Sequence, residues 1–236
     1  MNRVFSFIAL IILSVMLFSK EQQGKPYSFN VGLEFNSKYV WRGIPFGDSP
    51  VVFPSIGFQY KNLCISAVGG YALNGSHSEV DLFLTYMVGD FTIGLGDYFF
   101  PEEGREKNNY LNFKKKETSH TVEADVTYAP FQLPFWITAS TYVYGNDRKM
   151  NEKNYYSTYF ELGYYKNFSA DSKLSFILGF TPAAGFYSEN FNVVNTAVKY
   201  DTYIPFNNYK LPVSGSFVLN PNTEKVFLTF SIYLTK

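Results

Sequence analysis

The chain has 236 residues, no net formal charge and a mean hydropathy of −0.10, with 46% hydrophobic, 17% charged and 20% aromatic residues. So many aromatics beside so few charges exclude a disordered chain, which is poor in the first and rich in the second. No apolar run beyond residue 20 approaches the roughly 18 residues of a spanning helix, and neutrality provides no basic field for a phosphate backbone, so nucleic acid is not an expected partner.

Arg3, the apolar run from Val4 to Phe18 and the polar stretch from Ser19 have the layout of a secretory signal peptide. Residues 1–20 are therefore expected to direct export, and residues 21–236 to form a single domain. From there the hydropathy alternates with period two, the mark of strands with unlike faces. In the first segment Phe29, Val31, Leu33, Phe35, Tyr39 and Trp41 point one way, and Asn30, Gly32, Glu34, Asn36, Lys38 and Arg42 the other. The pattern predicts about twelve strands, near residues 28–42, 51–60, 63–72, 79–88, 91–99, 120–128, 135–145, 155–165, 173–181, 192–203, 211–219 and 225–234.

A soluble sandwich also alternates, but its outward face carries charge, whereas a membrane barrel turns an apolar face to lipid and a polar one to its lumen. Here the apolar faces hold one acid, Asp97, near a strand end; Glu34, Asp81, Glu123, Asp125 and Glu161 all lie on the opposite faces. Connections alternate too. Short turns such as Lys61-Asn62 and Gly89-Asp90 are followed by long segments such as residues 100–119 and 146–154, the short-turn, long-loop asymmetry of outer-membrane barrels. Aromatics crowd the strand ends, among them Tyr39, Trp41, Tyr60, Tyr71, Tyr86, Phe100, Tyr142 and Tyr164, where they are expected to form interfacial girdles. The fold expected is all-β: a transmembrane antiparallel β-barrel of about twelve strands in an up-and-down meander, exported to a bacterial outer membrane.

Two stretches resemble the TorF-like porins of Gram-negative outer membranes: Ser37-Lys-Tyr-Val-Trp-Arg-Gly-Ile44, and Glu79-Val-Asp-Leu-Phe-Leu-Thr-Tyr86 followed by Gly96-Asp-Tyr-Phe-Phe-Pro101. The resemblance covers the first third of the domain and implies a porin.

A passage through such a barrel is expected to be lined by Glu34, Lys38, Arg42, Glu79, Asp81, Glu123, Asp125 and Glu161, and an excess of acid in a constriction favours cations. Small solutes, outer-membrane lipid and lipopolysaccharide are the expected partners, the last through Lys114, Lys115 and Lys116. No cofactor or metal is expected: Cys64 is the single cysteine, and His77 and His120 are isolated in sequence. Two readings compete with an open pore. One is a structural or partner-binding barrel with a plugged lumen. The other is a surface lipid hydrolase using His77 or His120, for which the sequence supplies neither an orienting third group nor a Gly-x-Ser-x-Gly elbow.

Overall fold

The computed structural model describes residues 26–101, 109–115, 117–151, 153–207 and 209–235. The expected signal peptide lies outside them. The wall is a closed antiparallel barrel of twelve strands in meander order: β1 (Tyr27–Asn36), β4 (Val51–Tyr60), β5 (Leu63–Ala72), β6 (Ser78–Val88), β7 (Phe91–Phe99), β8 (His120–Tyr128), β9 (Phe135–Gly145), β10 (Thr158–Ser169), β11 (Ser172–Thr181), β12 (Asn192–Phe206), β13 (Tyr209–Asn220) and β14 (Lys225–Thr235), with β14 pairing back onto β1. The remaining strands, β2 (Tyr39–Trp41) and β3 (Ile44–Phe46), form a separate two-stranded hairpin.

Closure removes the unpaired edges that an open sheet presents. The two faces then follow the sequence period. Along β1, Phe29, Val31 and Leu33 are exposed while Asn30, Gly32, Glu34 and Asn36 are buried. The exterior apolar positions stay exposed all round, from Ile56 and Ile65 through Leu84, Ile93, Leu162 and Phe217 to Leu228, which is 82% exposed. An uncharged belt of this extent has lipid as its solvent, and the molecule is a transmembrane barrel.

The observed strands differ from the sequence reading in two places. The turns expected at residues 166–172 and 205–210 contract, because β10 runs on to Ser169 and β12 to Phe206. The first segment, expected as one strand over residues 28–42, stops at Asn36. Ser37 there closes the sheet by accepting a hydrogen bond at its Oγ from the Phe230 amide (2.9 Å) and donating its own amide to the Phe230 carbonyl (2.9 Å). The chain beyond it leaves the wall.

One exterior anomaly is resolved by a loop. Asp97 pairs with His120, whose Nδ1 is 2.9 Å from both carboxylate oxygens, and His120 Nε2 is 2.7 Å from the Tyr110 carbonyl. The Phe113 ring stacks on the imidazole at 4.1 Å and leaves it 0% exposed. Residues 110–113 are thus folded over the outer wall, covering the single acid of the apolar belt.

Leu84 sits midway along β6 on the exterior, opposite Ile65 and Leu95. Leu84→Arg is expected to lower barrel stability by about 2–4 kcal/mol, measured by urea unfolding in lipid vesicles with the mobility shift of the folded barrel as readout; an unchanged midpoint would place this face in water.

Candidate functional site

The hairpin of β2 and β3 decides what the lumen is. Its strands are joined by Arg42 and Gly43, both at positive φ (50° and 79°), with Trp41 paired to Ile44. This is the pattern of a type I′ turn, whose twist matches that of its strands. Gly43 meets two demands at once, since a Cβ there would also run into the Val194 carbonyl of β12. Arg42 has no such freedom, and left-handed backbone costs a non-glycine residue on the order of 1 kcal/mol or more.

What holds Arg42 there is a set of contacts from four directions. Its Nη1 donates to Glu123 Oε2 (2.6 Å) and to the Tyr187 hydroxyl (2.5 Å), and its Nη2 donates to Glu123 Oε1 (2.9 Å) and Ser140 Oγ (2.9 Å). The guanidinium lies between the faces of Trp41 (4.4 Å) and Tyr159 (4.6 Å), a stacked, bidentate seat that a lysine ammonium does not fill equally. Asn220 Nδ2 donates to the Gly43 carbonyl (3.1 Å) from β13. The turn therefore touches β8, β9, β10, β12 and β13 and bridges the lumen.

The flank of the hairpin packs as a small core. Tyr39 is buried with Val51, Phe53, Val68, Ala72, Phe83, Tyr98 and Tyr142, and Trp41, Phe46 and Phe100 press against them. The wall residues in this cluster lie on the lumen-facing parity of β4, β5, β6, β7 and β9. Tyr39, Trp41, Phe100 and Tyr142, expected in the lipid girdles, are therefore inside. Tyr60, Tyr71, Tyr86 and Tyr164 are outward and exposed. The inward aromatics on strands that otherwise alternate cleanly were the available sign that something apolar entered the barrel.

The eight residues expected to line a passage separate into two groups. Glu34, Lys38, Arg42 and Glu161 border a chamber of about 100 Å³, together with Lys173, Lys199 and Asp201, which the sequence reading did not single out. Lys199 and Lys173 share Asp201, at 3.1 and 3.7 Å. Glu161 accepts from Trp136 Nε1 (2.9 Å) and the Tyr159 hydroxyl (2.8 Å), and Tyr159 reaches it by lying flat over Gly179, where no side chain intervenes. The second group lies on β6 and β8. Asp81 is 0% exposed, Glu123 is paired to Arg42, and Asp125 leans over Gly94. Glu79 borders a second cavity, of about 190 Å³, at the loop end of the barrel. The acids do not gather in one constriction, so the acid excess read from the sequence does not describe the chamber.

A third cavity, of about 150 Å³, opens at the turn end among Asn167, Ser169, Asp171 and Tyr203. Tyr39 and Trp41 form part of the walls of both the loop-end cavity and the chamber, and Lys173 and Asp201 part of the walls of both the chamber and the turn-end cavity. The three spaces follow one another along the barrel, with the hairpin between the first and second.

Of the two histidines weighed for catalysis, His120 has both ring nitrogens engaged, by Asp97 and by the Tyr110 carbonyl, which leaves neither to take a proton from a serine hydroxyl. His77 Nε2 lies 3.2 Å from Glu79 Oε2. Among the described residues no group of three or more His, Cys, Asp or Glu is placed to hold a metal ion.

No family model matches the sequence, and no curated protein matches it. Among solved structures, the chain is similar to the KdgM porin in complex with disordered oligogalacturonate, with TM-score 0.51 and 10% identity over 87% of this chain and 97% of that one. It is also similar to an outer-membrane channel from Pseudomonas putida F1, with TM-score 0.46 and 10% identity over 93% of this chain and 98% of that one. At such identities the shared property is the barrel fold.

Arg42→Ala would leave Glu123 buried beneath the hairpin without its counter-charge, a loss on the order of 3–5 kcal/mol. The expected outcome is a lower urea midpoint for Arg42→Ala, with part of the loss recovered in the Arg42→Ala/Glu123→Gln double variant; an additive double variant would show that the two groups do not communicate.

Proposed function

We propose that the protein is an outer-membrane porin through which small solutes diffuse along a lumen narrowed by an inward-folded hairpin. The observation that carries this reading is the series of three cavities joined by shared walls, from the loop end past Tyr39 and Trp41 to the turn end past Lys173 and Asp201. A twelve-stranded wall lies between the small barrels that side chains fill and the 16 to 18 strands of wide channels, so inserting one hairpin converts a moderate bore into a narrow one. The motif likeness to TorF-like porins and the barrel shared with KdgM agree with this role.

Passage is restricted to small solutes because the hairpin, the Arg42 seat and the aromatic cluster occupy the loop-end half of the lumen. Charge selectivity, in this reading, is set in two stages. The chamber mixes the carboxylates Glu34, Glu161 and Asp201 with the cations Lys38, Arg42, Lys173 and Lys199 and favours neither sign strongly. The loop-end cavity is bordered by Glu79 and Asp147 and favours cations. The apolar belt fits outer-membrane lipid. Lys114 and Lys115 are exposed and in this reading meet anionic lipopolysaccharide headgroups; Lys116, expected to act with them, lies outside the described residues.

A plugged, structural barrel is the second reading, favoured by the number of contacts that fix the hairpin tip. Planar-bilayer recordings separate the two. The wild-type barrel is expected to give small, discrete, salt-dependent steps with a weak cation preference in the reversal potential. A variant with residues 38–46 replaced by a short Gly-Ser linker is expected to give steps several-fold larger. Silence from inserted wild-type barrel, with large steps from the linker variant, would instead make the hairpin a permanent plug.

A further inference from the structure

We infer that the loop-end cavity is a binding site for a small organic cation, an ammonium group seated against aromatic rings and the Glu79 carboxylate. The cavity, about 190 Å³, is below the roughly 300 Å³ at which drug-sized ligand sites begin, so it admits a headgroup rather than a large molecule. Its wall is largely aromatic. Trp41 lies 5.9 Å from Tyr98, 6.2 Å from both Phe46 and Phe186 and 6.5 Å from Tyr142, ring centre to ring centre. Ring faces carry negative potential and attract cations, most strongly where water is excluded.

The charged side chains that line it, among the described residues, are Glu79 and Asp147; His77 stands behind Glu79 and Arg148 behind Asn146, and neither lines the cavity. Asp147 is already occupied, accepting from the Ser157 amide (2.8 Å) and hydroxyl (2.6 Å). Glu79 is engaged on one side only: it is 2% exposed, its Oε2 lies 3.2 Å from His77 Nε2, and its Oε1 has no hydrogen-bond partner among the described residues. A buried acceptor without a donor is costly, and an ammonium entering the cavity supplies one.

The molecule already uses this mode of recognition on the other side of the hairpin. There the Arg42 guanidinium sits between the Trp41 and Tyr159 rings with the Glu123 carboxylate as counter-charge. The loop-end cavity repeats the combination of Trp41, further rings and a carboxylate, but among the described residues no Lys or Arg lines it. A sugar would also stack on aromatics, yet it needs several free polar partners. Asn146, for one, already accepts from Arg148 (3.3 Å).

This site is built from the hairpin, the loop-end positions of β6 to β9 and neighbouring loop residues, and it does not depend on the lumen being open, so its test is binding. The probe is tetramethylammonium chloride, titrated into the full-length barrel in nanodiscs. A Trp136→Phe background leaves Trp41 as the single reporter of the two tryptophans. The expected result is a saturable change in Trp41 fluorescence that sodium chloride at equal ionic strength does not produce. Affinity should fall at least tenfold in Glu79→Gln and also in Phe186→Ala, which alters a loop rather than the wall, with the folded-barrel mobility shift retained. No saturable change with Glu79 intact, or equal affinity in Glu79→Gln, overturns the proposal. Binding by a barrel that is silent in the bilayer supports this site and removes the porin reading. Conductance without binding does the reverse.

Discussion

The lumen is organised around one buried ion pair, Arg42 with Glu123. A pair of this kind contributes little net stability, because desolvating both charges offsets most of their attraction. Its value is positional. The guanidinium fork meets the carboxylate in one geometry only, and the Trp41 and Tyr159 faces fix the plane of that fork. The hairpin tip therefore has a single address on the wall. The packing of Tyr39, the approach of Gly43 to Val194 and the separation of the chamber from the loop-end cavity all depend on where that tip sits.

The hairpin and the wall are matched in chemistry. A lumen filled with water favours small polar residues, and much of this one has them: Ser55, Ser66, Thr127, Ser140, Ser175, Ser214 and Ser231 all face inward. Beside the hairpin, inward positions turn apolar at Val51, Phe53, Val68, Phe83 and Tyr98. Left without the hairpin, those side chains would border water inside a barrel whose exterior is already committed to lipid. Burying such side chains is worth about 1.5–3 kcal/mol each, which offsets the strain of Arg42 in left-handed backbone and the entropy lost when a long loop folds inward. The hairpin is thus held chiefly by its flank and aimed by its tip.

This division explains what the sequence made legible. Strand positions were readable because lipid outside and a polar lumen inside impose a period of two on every strand, and β4, β5, β7, β8 and β9 fall where the alternation puts them. The hairpin was not readable by the same rule. Tyr39 and Trp41 continue the odd-numbered apolar series of Phe29, Val31 and Leu33, so the period runs unbroken through a point where the chain leaves the wall at Ser37. The local signal was Arg42-Gly43 between two short apolar runs, a two-residue turn, and the distant one was the set of inward aromatics. Lys173, Lys199 and Asp201 were missed for a different reason. Acids and bases that alternate with large aromatics on late strands look like interface residues until the register of β11 against β12 brings Lys173 opposite Asp201.

The arrangement of charge follows from the same geometry. Glu79, Asp81, Glu123 and Asp125 stand on two strands, β6 and β8, on one side of the lumen, and the hairpin brings one cation, Arg42, to that side. Arg42 satisfies Glu123. Asp81, two residues from Glu79 and fully buried, has no cation paired with it among the described residues, so the covered wall retains uncompensated negative charge. On the opposite wall Lys173 and Lys199 are matched by Asp201 and by Glu34 nearby. From the loop end inward, a negative, aromatic mouth therefore precedes a balanced chamber. The hairpin that narrows the lumen is also what keeps the acids of β6 and β8 from facing the whole of it.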